Sequence, residues 1–343
     1  MSYQLAARDS VEILDVGSGV PDDSFSTLIG ESEALREAIA LARRVSARGG
    51  SNVLLIGETG TGKEIFARAI HGGSPRANEP FVAVNCAAIP AQLLESELFG
   101  HERGAFTDAR EKKQGLLELA AEGTLFLDEV SSLPVDLQPK LLRALEERRV
   151  RRVGGFDEIE IRCRVTAATN APLENLVADG SFREDLFYRL NVLRLVLPPL
   201  RARKGDVMRL ARHFLSSLAV TQGLETAGLT PEARAMLDEH PWPGNVRELK
   251  NVLERALVMC EGDAIDVRHL ALGTRAVRPH DSTPTVGGVI RIPSAGRSLR
   301  SVEAELVKVT LTLTGGNKSA AARVLGISRP TLHRKIAEYG VEA

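Results

Sequence analysis

The sequence predicts an α/β fold in which a mostly parallel sheet is covered by helices on both faces, followed by further helices and a small all-α domain. Three observations predict this fold. Short apolar runs alternate with amphipathic stretches, a glycine-rich loop follows the first of these runs, and strand-like runs stop near residue 206. Strands that alternate with helices are typical of a parallel sheet in an αβα arrangement.

The predicted strands are five short apolar runs, at residues 53–56, 81–84, 124–127, 164–169 and 192–197. Amphipathic stretches between them, such as residues 33–46 and 137–147, are predicted helices. Later in the chain, Thr230-Pro231 and Asn245 indicate helix starts, because Thr and Asn cap free N–H groups and Pro suits the first turn.

Composition divides the chain into parts. We predict a loose leader at residues 1–25, an αβα subdomain at 26–205, a helical subdomain at 206–270, a linker rich in Pro and Gly at 271–297, and a helix-turn-helix domain at 298–343. The leader is too short for a sensory or receiver domain. We therefore expect control by a separate regulatory protein, by expression level or by oligomerisation.

The overall composition excludes several classes of protein. Hydrophobic residues make up 43% of the chain, charged residues 26%, and the net charge is −1, as in ordinary globular proteins. No apolar window approaches the ~18 residues of a membrane span, and the first residues have no apolar stretch of a signal peptide. We expect a cytoplasmic protein with no membrane partner.

A phosphate-binding loop is indicated by Gly57-Glu58-Thr59-Gly60-Thr61-Gly62-Lys63, between a predicted strand and a predicted helix. Glycines let backbone N–H groups point at phosphate oxygens, the lysine supplies positive charge, and the helix start adds its dipole. The motif departs from the usual pattern at its last position. Glu64 stands where a Ser or Thr hydroxyl would usually bind Mg²⁺, so this hydroxyl ligand is missing. The predicted cofactors are still ATP and Mg²⁺.

Polar residues end three of the predicted strands. Asp128 and Glu129 follow an apolar run, where Asp128 would hold Mg²⁺ directly or through water and Glu129 would polarise the attacking water. Asn170 ends the next strand and could contact the γ-phosphate or its water. Asn85 ends an earlier strand in the same manner. These patterns predict ATP hydrolysis.

The C-terminal segment has the pattern of a helix-turn-helix. Small residues at 320–322, a glycine turn at Gly326, and Ser328 before Pro330 predict two closely packed helices. Residues 298–343 hold seven Lys or Arg against four acids, which favours contact with DNA phosphates. A small interaction module is the alternative. The predicted DNA-contacting residues are Lys318, Ser328, Arg329, Thr331, His333, Arg334 and Lys335.

Together these motifs resemble the bacterial enhancer-binding proteins, which are AAA+ ATPases that activate the sigma-54 form of RNA polymerase. The loop Gly104-Ala105-Phe106-Thr107-Asp108-Ala109 resembles the family's sigma-contacting loop, although Asp108 replaces its usual second glycine. The resemblance implies an AAA+ P-loop fold with a helical lid and a Fis-type helix-turn-helix. From the short leader at residues 1–25 we expect a member of this family that lacks an N-terminal regulatory domain.

The resemblance also implies roles for individual residues. Arg183 and Arg189 match the arginine fingers, which stabilise transition-state charge at a neighbour's γ-phosphate. Arg247 matches the second sensor in the lid, and Asn85 matches the residue that links Glu129 to the surface loop. The pair Ile29-Gly30 resembles the segment near the adenine.

The leading interpretation is an ATP-dependent activator that binds upstream enhancer DNA, forms a hexameric ring and remodels the closed promoter complex of the sigma-54 RNA polymerase holoenzyme. A DNA-binding ATPase whose loop does not engage sigma-54 is the runner-up, favoured by Asp108. A general AAA+ remodeller of other proteins is a third class, against which the loop at residues 104–109 argues.

Overall fold

A computed structural model describes residues 11–14, 23–106, 109–222, 228–260, 264–272, 299–314 and 317–339. The chain forms two compact units, residues 1–272 and residues 273–343. Among the described residues, no helix combines the length and apolarity needed to cross a membrane.

The strands of the first unit are short and lie in one main sheet and two hairpins. In chain order they are β1 Val11–Leu14, β2 Val53–Ile56, β3 Phe81–Asn85, β4 Gly100–His101, β5 Lys113–Gln114, β6 Thr124–Asp128, β7 Arg149–Arg151, β8 Glu158–Glu160, β9 Arg164–Thr169 and β10 Leu193–Val196. The main sheet has the order β1-β3-β6-β9-β2-β10, β4 pairs with β5, and β7 pairs with β8.

Helices connect these strands and continue after the sheet. They are α1 Glu33–Ser46, α2 Lys63–Gly72, α3 Ala91–Phe99, α4 Leu116–Leu119, α5 Gln138–Glu147, α6 Leu173–Ala178, α7 Glu184–Leu190, α8 Asp206–Gln222, α9 Pro231–Glu239 and α10 Asn245–Met259. Separate hydrophobic clusters cover the two faces of the sheet. The predicted α/β fold with a parallel sheet is confirmed.

The central strands explain where the site forms. From β3 to β10 all neighbours are parallel, and Asn85 lies beside Asp128 in the register while Ile56 lies beside Thr169. Strands buried on both faces need continuous apolar sequence, and Val53, Leu54 and Leu55 are fully buried. Their carboxyl ends therefore open at one edge, where ligands bind in such sheets.

The leader differs from the prediction. Within residues 1–25, which we predicted as a loose segment, Val11–Leu14 forms β1 and pairs antiparallel with β3, with Leu14 opposite Phe81. An edge strand pairs on one side only, so a run of four residues is enough to form it. Among charged neighbours, so short a run has no distinctive apolar pattern in the sequence.

The helical subdomain packs α8, α9 and α10 around its own apolar cluster. Trp242 is fully buried there and donates its indole N–H to the carbonyl of Leu237 at 2.9 Å. Thr230 caps α9 by accepting the N–H of Ala233, as predicted. The lid core is thus distinct from the sheet core.

The second unit contains three helices, α11 Leu299–Leu313, α12 Lys318–Val324 and α13 Arg329–Tyr339. The small residues Ala321 and Ala322 are buried and pack against Leu332, Val307 and Leu311. The predicted linker at residues 271–297 lies outside the described residues, except for its first two.

Candidate nucleotide site and nucleic-acid interface

The phosphate loop connects β2 to α2. Gly60 has φ +81° and Gly62 has φ +95°, which are left-handed conformations that glycine adopts without strain. Gly62 caps α2, and Lys63 is its first residue. The free N–H groups of this helix start make the loop suited to bind an anion.

Lys63 lies inside the loop. Its Nζ donates to the carbonyl of Gly57 at 3.0 Å and to that of Glu58 at 3.4 Å, and it lies 3.9 Å from Oε1 of Glu129. Only 6% of the side chain is exposed. The ammonium group thus joins the predicted phosphate cradle to the predicted catalytic acid.

The acid pair lies where β6 ends. Burial raises the pKa of both Asp128 and Glu129, while the charge of Lys63 opposes that rise. Glu129 has φ +51°, which is unusual for a residue other than glycine and typical of functional sites. The sharp turn directs its carboxylate toward Lys63 rather than along the strand.

The donors present fit a magnesium ion. Asp128 and Glu129 place two partly buried carboxylates beside one lysine, and carboxylate oxygen is the ligand that Mg²⁺ prefers. Glu64, at the position of the usual hydroxyl ligand, accepts two hydrogen bonds from Arg68 at 3.0 and 2.6 Å. Asp128 is therefore the best candidate ligand.

Two asparagines extend this edge of the sheet. Asn170 donates from its side-chain amide to the hydroxyl of Thr59 in the phosphate loop at 3.0 Å. The side-chain oxygen of Asn85 accepts the N–H of Ala87 at 2.9 Å, and Asn85 is the register neighbour of Asp128. Both predicted residues therefore lie at the phosphate end of the sheet.

The predicted adenine segment is held by the first residue of the lid. Asp206 accepts the backbone N–H groups of Glu31 at 2.7 Å and Ser32 at 3.1 Å, and Arg203 donates to the carbonyl of Ile29 at 2.6 Å. A side chain at Gly30 would collide with the Asp206 carboxylate, because an added Cβ would lie 2.4 Å from Oδ2. Sequence reasoning missed Arg203 and Asp206, which sit where strands give way to helices.

The lid also contacts the phosphate loop. The backbone N–H of Val246 donates to the carbonyl of Gly60 at 3.0 Å, and Arg247 projects from the same first turn of α10. The charge of Arg247 lowers the pKa of both Asp128 and Glu129, against the larger effect of burial. The predicted second sensor thus lies within electrostatic reach of the acid pair.

The two predicted arginine fingers lie at the two ends of α7, with Arg183 just before its first residue and Arg189 in its last turn. Arg183 pairs with Asp185 at 2.7 Å, and Arg189 donates to the carbonyl of Leu145 at 2.9 Å. Both side chains are exposed. Within one chain they are bound to local partners rather than to the nucleotide site.

The predicted sigma-contacting loop lies between β4 and β5. Gly104 has φ +80° and donates to the carbonyl of Ala109 at 2.8 Å, and Ala109 is buried. Phe106 is 41% exposed and lies edge-on to His101, with ring centroids 4.9 Å apart. Thr107 and Asp108 lie outside the described residues.

The helix-turn-helix presents part of the predicted DNA-contacting set. Ser328 caps α13 by accepting the N–H of Thr331 at 3.3 Å, as predicted, and Arg329, His333 and Arg334 are exposed. Lys318 is half-buried. Lys335 instead turns into the domain.

The Nζ of Lys335 donates to the carboxylate of Glu303 on α11 at 2.7 Å. The phenol of Tyr339 binds the same carboxylate. Lys335 is therefore engaged within the unit, unlike its neighbour Arg334.

Comparison with known proteins gives separate matches for the sheet subdomain, the helical subdomain and the helix-turn-helix. Residues 28–196 match the family described as a sigma-54 interaction domain, residues 201–286 an AAA+ ATPase lid domain, and residues 298–339 a bacterial regulatory protein of the Fis family. The DNA-binding transcriptional regulator NtrC of Escherichia coli K12 is 44% identical over 331 residues, covering 92% of this chain and 70% of that protein. The chain belongs to the NtrC-type sigma-54-dependent transcription activators.

Other relatives agree with this family. The regulatory protein AtoC of Escherichia coli K12 is 47% identical, and the chain spans 63% of its length while the match covers 85% of the chain. A crystal structure of NtrX from Brucella abortus in complex with ADP has a TM-score of 0.68 at 36% identity, over 92% of this chain and 70% of that one. The phosphate loop and acid pair of this activator thus belong to a nucleotide-binding AAA+ domain.

Proposed function

We propose that this activator hydrolyses ATP to remodel the closed promoter complex of the sigma-54 RNA polymerase. The observation that carries the proposal is the presence, on one compact unit, of a phosphate loop with its acid pair and of an exposed Phe106 on the loop that resembles the family's sigma contact. Its place of action would be the cytoplasm, where the polymerase and its DNA are found.

In the proposed reaction, Lys63 and the loop N–H groups bind the β- and γ-phosphates. Glu129 orients and polarises the attacking water, and Asn170 holds the loop residue Thr59 beside it. Asp128 would hold Mg²⁺, which neutralises charge on the phosphates when bound. Arg247 of the lid would face the phosphates from the same chain, and the segment Ile29-Gly30 would border the adenine.

The arginine fingers require a second copy of the chain. Arg183 and Arg189 are exposed and bound to Asp185 and Leu145 of their own chain. A neighbour's γ-phosphate carries more charge than either partner, so we propose that both guanidinium groups exchange these contacts for it in a hexameric ring.

DNA binding would hold the ring near its promoter. The exposed residues Arg329, His333 and Arg334 on α13 would contact upstream enhancer DNA, with Thr331 at the start of the same helix. The alternative, a regulator that does not engage sigma-54, is favoured by no observation beyond Asp108 itself. A separate regulatory protein would supply the control.

A transcription assay on supercoiled template tests the proposal. Purified chain with sigma-54 holoenzyme should give transcript with ATP and Mg²⁺, and none with a non-hydrolysable ATP analogue or with EDTA. Holoenzyme that carries the major sigma factor is the matched control and should not respond. Equal transcript with the non-hydrolysable analogue would contradict a role for hydrolysis.

A further inference from the structure

The glutamate of the phosphate loop binds partners that lie outside the loop. The Glu58 carboxylate accepts Nη1 of Arg201 at 2.7 Å and Nδ2 of Asn245 at 3.1 Å. These bonds, the one from Arg201 above all, lower the pKa of Glu58 to about 2. Its charge therefore persists across the whole physiological pH range.

Asn245 connects this carboxylate to the lid. It is fully buried, its Nδ2 also donates to the carbonyl of Thr59 at 3.0 Å, and its Oδ1 accepts the N–H of Leu200 at 2.7 Å. Its φ of +54° is a left-handed conformation, which asparagine tolerates better than most residues. One side chain thus binds the phosphate loop, the turn before the lid and the start of α10.

The start of α10 packs tightly against the phosphate loop. Val246 and Arg247 both direct their backbone N–H groups at the carbonyl of Gly60, at 3.0 and 3.4 Å. A Cβ on Gly60 would lie 2.2 Å from the carbonyl oxygen of Gly244. The position of Arg247 over the loop therefore depends on the contacts made around Asn245.

We propose that Glu58, Arg201 and Asn245 form a clamp that positions the first turn of α10, and with it Arg247, over the phosphate loop. The clamp sets the rate of hydrolysis rather than the affinity for ATP, because Lys63 and the loop N–H groups bind the phosphates without it. Glu58 is thus a positioning residue, not a nucleotide ligand. This inference rests on the ATPase function proposed above.

The test compares Glu58→Gln, Arg201→Ala and the double variant in the full chain. Binding of a fluorescent ATP analogue gives Kd, and steady-state hydrolysis gives kcat and KM. We expect each single variant to lower kcat by about 10- to 100-fold, the loss typical of a shift of about 1 Å in a catalytic group, with Kd almost unchanged. The double variant should match the singles, since clamp members act as a unit.

Two further variants separate positioning from folding. Asn245→Gly keeps the left-handed backbone but removes the amide. It should lower kcat with Kd almost unchanged, and a native circular dichroism spectrum at the assay temperature should show that it is folded, although loss of the buried hydrogen bonds lowers its melting temperature. Arg162→Ala is the matched control, because Arg162 is 60% exposed and pairs only at the surface with Glu122 and Glu160. It should leave kcat, Kd and melting temperature as in the wild type.

Three results would overturn the clamp. One is a raised Kd with unchanged kcat in Glu58→Gln, which would make Glu58 a ligand. Another is a double variant whose loss is the product of the single losses. The third is normal kcat in every variant while the wild type hydrolyses ATP. A wild type that binds ATP but does not hydrolyse it would instead contradict the proposed function, whereas the three results above contradict the clamp alone.

Discussion

Single residues decide the chemistry at the carboxyl edge of the sheet, where Lys63 lies 3.9 Å from Glu129. Glu129→Gln should still bind ATP and hydrolyse it about 100- to 10,000-fold more slowly, because the amide cannot polarise the water. Lys63→Ala should lose nucleotide binding, because the charge of the phosphates is then left uncompensated. Titration with a fluorescent nucleotide measures binding, and phosphate release measures hydrolysis. Equal hydrolysis by Glu129→Gln and wild type would remove the water-activating role.

The predicted arginine finger in the last turn of α7 gives a second prediction at the scale of single residues. Arg189→Ala should lower hydrolysis by about 1,000-fold, a typical loss for an arginine finger, and should do so from a neighbouring chain. Mixing Arg189→Ala with Lys63→Ala should therefore restore part of the activity, since some interfaces then combine two intact halves. Mixed rings that form and show no recovery would count against action in trans.

At the scale of elements, α13 holds two neighbouring basic residues, Arg334 and Lys335, in different surroundings. Arg334 is exposed whereas Lys335 binds Glu303. Arg334→Ala should weaken specific DNA binding by about 1–3 kcal/mol if it contacts a base edge. Lys335→Ala is its matched control and should leave DNA affinity almost unchanged. Gel-shift titrations on specific and random DNA would check this, and the reverse order would contradict the assignment.

Elements differ in how far the sequence predicts them. The runs at residues 53–56 and 164–169 are strands with the predicted bounds, because burial on both faces demands continuous apolar residues. The hairpin of β7 and β8 was not predicted, since its outward residues Arg149, Arg151 and Glu158 pair across the strands and hide the apolar pattern.

Some residues of the candidate site are predictable from the sequence and others are not. Motif spacing identified Lys63, Asp128 and Glu129, which lie in or beside the loops after β2 and β6, two strands separated in the sheet only by β9. The Nζ of Lys63 lies 3.9 Å from Oε1 of Glu129. Arg201 and Asp206 could not be found by spacing, because Arg201 reaches the site from the turn before the lid and Asp206 from the first residue of the lid, both far along the chain from the motifs. Side chains that join separate segments become visible only once the fold brings those segments together.

At the scale of the whole molecule, each of the two units has its own apolar core. Deleting residues 298–343 should therefore leave ATP hydrolysis intact while abolishing specific DNA binding. Hydrolysis rate and a gel shift on the same preparation check this. Loss of hydrolysis on deletion would show that the second unit is needed for assembly of the active ring.

The most direct test of the whole account is open-complex formation by the sigma-54 holoenzyme with ATP, measured as promoter melting. Wild type should melt the promoter, and Phe106→Ala should not while still hydrolysing ATP. Asp108→Gly should change melting only moderately, because aspartate would tolerate a left-handed conformation if the family's glycine adopts one at this position. If the wild type hydrolyses ATP and binds its DNA yet never melts the promoter, and Asp108→Gly does, the account is contradicted.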